Sequence, residues 1–217
     1  AHACIPLTPW EAHLMHYRFG APQERIYVVS NGVEEVFLDS LKVVRGEWLV
    51  CTAIITGRKR VLELAAAAIR AQTPVWIIGK PYSETDPYAR KFYDLARQHP
   101  QLIRYEGAIS DRTRLAGIYR AARGFVLLST MESLSLSALE AGACECPLLL
   151  TDLPWARTTF LQAASYCPLT RSVAVTAQVL RKFYDAAPSL PLPPKPAAWN
   201  EIGRQLKTIY ERVLNAR

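Results

Sequence analysis

The chain alternates short runs of apolar, often branched residues with longer stretches of helical pattern. Trp48 to Ile54, Pro74 to Gly79, Phe125 to Ser129 and Pro147 to Thr151 are predicted strands, with a more polar one at Leu102 to Glu106. Between and after them, Val61 to Gln72, Asp86 to Gln98, Asp111 to Arg123, Ser137 to Glu145 and Ser172 to Asp185 read as helices. Pro87 falls at a first helical position, where proline is tolerated, and Asp111 is a capping residue. A strand that is apolar at every position, not every second one, is covered on both faces. Strand–helix alternation of this kind is satisfied by helices on both sides of a parallel sheet. The predicted fold class is therefore α/β, a doubly wound, Rossmann-like parallel sheet. Ile26 to Ser30 reads as a further short strand running into an Asn31-Gly32 turn.

The 217 residues suggest between one and two domains at roughly 150 residues each. Three segments are expected. Residues 1–25, with a helix over Leu7 to Phe19, read as a remnant of, or linker from, a preceding domain. Residues 26–187 form the Rossmann-like body. Residues 188–217 comprise a stiff linker, with five prolines between Pro188 and Pro196, and a closing helix from Trp199 to Asn215. The first residue is Ala, so the chain reads as a processed or excised piece. Its longest uncharged run, Thr158 to Thr170, is shorter than the roughly 20 residues a bilayer-spanning helix needs.

Lys plus Arg total 26 against 19 Asp plus Glu, a net charge of +7. That excess suits an anionic ligand or peripheral contact with an anionic membrane face. The densest basic cluster is only Arg58-Lys59-Arg60, so nucleic acid is not an expected partner. Five cysteines match no disulfide framework and read as free thiols in a reducing cytoplasm. G-x-G-x-x-G, the Walker A sequence, H-E-x-x-H and G-x-S-x-G are all missing. No D-x-D occurs, so the common metal–diphosphate clamp is missing.

The informative stretch is Ser129 to Asp152. Glu132 follows a strand end and Glu140 lies eight residues on. Were all eight helical, the carboxylates would stand about 12 Å apart, too far to share a proton. They therefore have different tasks. Ser133, Ser135 and Ser137 are small and can cap, leaving backbone N–H groups for an anion at a helix start. The plainer alternative is that Glu132 favours a helix N-terminus and Glu140 is a solvated helix residue. The tryptophans are read as core, with a place bordering the ligand site as the alternative for Trp155.

The E-x7-E spacing, followed by Glu140-Ala141, Ala143-Cys144, Pro147, an apolar strand and Thr151-Asp152, resembles family 4 (group 1) glycosyltransferases. Those are retaining enzymes of the two-domain GT-B architecture. Val28-Val29-Ser30-Asn31-Gly32-Val33 with Phe37 resembles the family's linker strand. Ile77-Ile78-Gly79-Lys80-Pro81, Gly107, Tyr119-Arg120-Ala121-Ala122-Arg123, Leu128-Ser129 and the Trp199 to Leu214 helix resemble further family positions. The resemblance implies the C-terminal, nucleotide-sugar-binding half of a GT-B fold. Its partner would be an N-terminal acceptor domain, and its substrate a UDP- or GDP-sugar whose sugar passes to an acceptor hydroxyl. That implies glycan or polysaccharide biosynthesis in the cytoplasm with no metal and no cofactor, the nucleotide-sugar being a substrate, and with the inner membrane face as one setting. A nucleotide-sugar epimerase and a non-catalytic nucleotide-binding module are the alternatives.

By the same resemblance, Glu132 faces the donor sugar at the reacting centre, Lys59 contacts the diphosphate and Glu140 binds the ribose hydroxyls. The backbone of Leu134, Ser135 and Leu136 holds sugar and phosphate, and Ile109 lies by the base. Two departures stand out. The family's Gly-Arg is Ala53-Ile54 here, which removes one diphosphate cation and leaves Arg58 or Arg60 as its substitute. The family's E-G-F-G is Glu132-Ser133-Leu134-Ser135, a bulkier loop.

Overall fold

The computed structural model describes residues 2–41 and 43–215. Ala1, Ala216 and Arg217, the outermost residues of the two expected end segments, lie outside the described residues. Among the described residues six strands form one sheet: β1 (Leu49–Thr52), β2 (Val75–Ile78), β3 (Ile103–Glu106), β4 (Gly124–Leu127), β5 (Leu148–Thr151) and β6 (Ser165–Cys167). All pairings are parallel and the order is β3-β2-β1-β4-β5-β6. This is the doubly wound sheet expected from the alternation.

The helices are α1 (Pro9–Tyr17), α2 (Glu35–Leu38), α3 (Val61–Ala71), α4 (Pro87–Gln98), α5 (Arg112–Ala121), α6 (Leu136–Ala143), α7 (Pro154–Phe160), α8 (Val173–Ala186) and α9 (Trp199–Asn215). Local chemistry sets several starts. The Asp86 side chain accepts from the Tyr88 N–H with Pro87 at the first position, and Asp111 accepts from the Arg114 N–H.

Successive strand residues point to opposite faces, and both faces are apolar. Val50, Phe125, Leu127, Leu148 and Leu150 pack with α2, α5, α6 and α7. Leu49, Cys51, Val75, Ile77 and Leu149 pack with α3, α4 and α8. Phe125 is fully buried, and emptying such a site costs about 3–5 kcal/mol. Trp155 is 2% exposed and stacks edge-on against Phe160, so it belongs to this core and not to a ligand surface.

Two strand expectations change. Ile26 to Ser30 does not join the sheet. It forms a single bridge, Cys4 to Ile26, and its amides turn to residues 4–6: Tyr27 N–H bonds Cys4 and Val29 N–H bonds Pro6. The sixth strand is instead β6, three residues inside the uncharged run after α7. The α9 helix packs its Ile202 and Ile209 on Val29, with Ile5 and Tyr27 alongside. Gly32 permits this closure, because a Cβ there would stand 2.8 Å from the Trp199 backbone.

Burial holds the thiols of Cys51 and Cys146 up near about 12, so they are inert core groups. Among the described residues no helix is long and apolar enough to cross a membrane.

Candidate functional site

From β1 the chain runs to α3 on one face, and from neighbouring β4 it runs to α6 on the other. The gap between β1 and β4 is thus the switch point of the sheet, where such folds open a crevice beyond the carboxyl ends of the strands. Two loops flank it, residues 53–60 after β1 and residues 128–135 after β4. They are tied together, since the Thr130 N–H donates to the Arg58 carbonyl at 2.8 Å. Gly79, at φ +148, lets the end of β2 close on this edge, because a Cβ there would lie 2.0 Å from the Ala53 oxygen.

The first cluster spans these loops. Lys59 Nζ donates to Glu132 Oε1. Arg58 Nη1 lies 3.5 Å from Glu132 Oε2 and donates to the Met131 carbonyl at 2.8 Å. The Lys59 and Glu132 side chains are 13% and 9% exposed, and Arg58 is 41% exposed. Arg60 is turned away: it takes φ +54 at the head of α3, and its guanidinium donates to the Thr170 carbonyl. Of the two expected substitutes for the cation missing at Ile54, Arg58 shares a carboxylate with Lys59 and Arg60 does not.

The second cluster centres on Glu140, one turn into α6. Its side chain is 10% exposed, which removes the reading of a solvated helix residue. Arg112, first residue of α5, donates through Nη2 to Glu140 Oε1 and through Nε to Glu34 Oε1 at 2.8 Å. Its guanidinium also lies 4.7 Å from the Phe37 ring centroid. Burial raises the Glu140 carboxyl above the ordinary range, and Arg112 opposes that rise. Tyr119 faces the same carboxylate and shares a hydrogen bond with Thr52 at the end of β1. Arg112 and Glu34 were missed at the level of sequence. Nothing in local spacing joins positions 34, 112 and 140.

The loop between the clusters begins α6 later than a continuous helix from Glu132 would require. Ser135 is the cap: its Oγ accepts from the Ala138 N–H, and its carbonyl accepts from the Leu139 N–H at 3.1 Å. Leu134 is buried, while Leu136, first residue of the helix, is exposed. Glu132 lies in the loop and answers to Lys59, which replaces the reading in which it merely favours a helix start. Ile109 is half-buried in the β3–α5 loop against the core layer of α5 and α6. Lys59, Arg58, Glu132, Leu134, Ser135, Leu136, Glu140 and Ile109 thus all lie beyond the carboxyl ends of β1, β3 and β4. An apolar cavity of about 360 Å³ walled by Trp48, Trp76 and Ile118 lies toward the other end of these strands and touches none of them.

The sequence profile described as Glycosyl transferases group 1 matches residues 47–185, more than half of the chain. The chain belongs to this family. The match runs from the approach to β1 through most of α8, and so takes in both clusters apart from Glu34 and Phe37. No curated protein matches the chain. Among solved structures, it is similar to a glycosyltransferase from Rickettsia africae, with a TM-score of 0.73, 14% identity, 98% of this chain covered and 63% of that one. It is similar to the pneumococcal O-GlcNAc transferase GtfA in complex with UDP and GlcNAc, at TM-score 0.70, 19% identity and coverages of 97% and 45%. It is similar also to S. aureus TarM, bound to UDP among other ligands, at TM-score 0.70, 17% identity and coverages of 99% and 43%. The chain thus spans between 43% and 63% of the length of these structures. The Rossmann-like half of the GT-B architecture expected from its motifs is the fold it has.

Proposed function

We propose that this chain is the donor-binding half of a retaining glycosyltransferase, taking a sugar from UDP-sugar or GDP-sugar to an acceptor hydroxyl. The observation that carries this reading is the sorting of charge at the switch point. Lys59 and Arg58 set two cations on one carboxylate, while Glu34 and Glu140 set two carboxylates on one cation. The first arrangement suits a diphosphate and the second suits hydroxyl donors. In this reading Lys59 and Arg58 hold the diphosphate, Glu140 grips the ribose hydroxyls, and Ile109 lies by the base.

Glu132 faces the donor sugar. As the sugar–diphosphate bond breaks, the leaving group gains negative charge, and Lys59 can pass from Glu132 to the phosphate oxygens. The backbone of Leu134, Ser135 and Leu136 adds amide donors at the start of α6. Charge already in place where charge develops lowers the barrier without a metal. Each charge-assisted contact is worth about 1.5–3 kcal/mol. UDP in the GtfA and TarM complexes makes uracil the first base to test.

Residues 26–187 are the donor domain in this reading, with 188–217 as strap and closing helix and 1–25 as the approach from an N-terminal acceptor domain. The cleft between the domains would complete the active site, so the chain alone turns over slowly or not at all. The setting is cytoplasmic, at the inner membrane face, and five free thiols fit a reducing compartment.

A melting screen across UDP, GDP, ADP and their sugars tests the reading. A cognate nucleotide at a hundredfold excess over Kd stabilises by about 2.7 kcal/mol. Glu140→Ala should remove most of that, and Lys59→Ala about half or more. No stabilisation by any nucleotide sinks the proposal, and robust sugar transfer by the isolated chain contradicts the need for a second domain.

A further inference from the structure

Glu140 is a carboxylate in an apolar setting, on a helix whose neighbouring residues Ala138, Leu139 and Ala141 are core. Left alone there, it would take up a proton and lose its value as an acceptor. Arg112 opposes this from a fixed position. Its Nε is held by Glu34 at 2.8 Å, its guanidinium lies over the Phe37 ring, and its Nη2 is thereby presented to Glu140 Oε1. That leaves Glu140 Oε2 free of Arg112. We propose that Arg112 is a positioning residue for the nucleotide: braced by Glu34 and Phe37, it keeps the Glu140 carboxylate charged and turned toward the ribose. The proposal rests on the reading that Glu140 receives the ribose.

The groups that face Glu140 are Arg112 and Tyr119 from α5, Glu34 from the segment before α2, and Cys144 at the end of its own helix. Of these, Arg112 alone is a cation. Burial raises the Glu140 carboxyl, the Arg112 charge and hydrogen bond pull it down, and Glu34 adds to the rise. Loss of Arg112 therefore leaves burial and Glu34 pushing the carboxyl up, with the Tyr119 hydrogen bond opposing them.

The test is a carboxyl ¹³C NMR titration of this chain, with the Glu140 resonance assigned by Glu140→Gln, alongside calorimetric binding of UDP across pH. In Arg112→Gln the Glu140 midpoint should rise clearly above that of the unaltered chain. UDP affinity should then fall about tenfold for each pH unit below the new midpoint and recover above it. Arg112→Lys should restore most of both properties. Arg112→Met, with a stem of similar reach, serves if the glutamine variant does not fold. A merely structural arginine would weaken binding equally at all pH. An unmoved Glu140 midpoint, or a loss of affinity independent of pH, overturns the proposal. A raised midpoint in Arg112→Gln combined with wild-type UDP affinity in Glu140→Gln overturns instead the ribose reading beneath it.

Discussion

The two ionic clusters at the carboxyl edge of the sheet are opposite in composition. Lys59 and Arg58 against Glu132 sum to one positive charge, whereas Arg112 against Glu34 and Glu140 sums to one negative charge. They also differ in how they are built. The positive cluster joins the β1 and β4 loops across the switch point, with Arg58 open to solvent. The negative cluster rests on an aromatic ring and a buried helix. The two central carboxylates are about equally enclosed, Glu132 at 9% exposure and Glu140 at 10%, but Glu132 has two cations beside it and Glu140 has one. A long-range attraction for an anion needs only exposed cations, and salt weakens it. A grip on neutral hydroxyls needs a dry, fixed acceptor. The contrast teaches that one nucleotide can be held at its two ends by two kinds of electrostatics.

The largest effect that would break this division is expected at Glu140. Glu140→Ala removes acceptors for ribose hydroxyls, and two charge-assisted bonds of about 1.5–3 kcal/mol each predict at least a hundredfold loss of UDP affinity. Pyrophosphate affinity should stay within about twofold, since the ribose end makes no contact with it. Lys59→Ala should weaken UDP and pyrophosphate together by about tenfold or more, and leave uridine unaffected. Calorimetry with the three ligands reads both variants, and a similar loss for every ligand in both merges the clusters into one. Arg58→Ala, more exposed, should cost about fivefold for pyrophosphate, with the loss shrinking at high salt. Arg60→Met should leave all three affinities unchanged and lower the melting temperature, because Arg60 bonds the Thr170 carbonyl and not the site.

Acid gives a smaller, directional effect. Burial puts the folded-state carboxyl of Glu140 above its unfolded value, so its ionised form costs stability. That cost is absent below the unfolded value and is felt in full above the folded one. As pH falls through this window, Glu140 alone makes folding more favourable while nucleotide binding declines. Stability and affinity thus move in opposite directions, a pattern that paired denaturation and binding curves would reveal. Asp152 behaves the other way. Its hydrogen bond from Arg157 lowers it, so its small contribution at the surface is lost as pH falls through its folded value.

The sheet was legible because its central strands are apolar on both faces and its helices announce their starts with Asp86-Pro87 and Asp111. The β6 strand was hidden because it is a three-residue edge strand, Ser165-Tyr166-Cys167, with no alternation to read. Ile26 to Ser30 has the branched side chains of a strand, but its amides found residues 4–6 instead. At the site, the Lys59–Glu132 pairing follows from two loops that the fold makes neighbours. Arg112 and Glu34 were invisible because their partnership with Glu140 exists only once α5, α6 and the segment before α2 have packed. Choosing Arg58 over Arg60 likewise needed the left-handed turn at Arg60, which the sequence Arg58-Lys59-Arg60 does not signal.

A crystal structure of this chain soaked with UDP tests the central claim most directly. The account predicts diphosphate oxygens within hydrogen-bond reach of Lys59 and Arg58, and both ribose hydroxyls on Glu140 with Arg112 still at its other oxygen. UDP seated elsewhere, for instance in the Trp48–Trp76 cavity, or bound with its ribose turned away from Glu140, would contradict it.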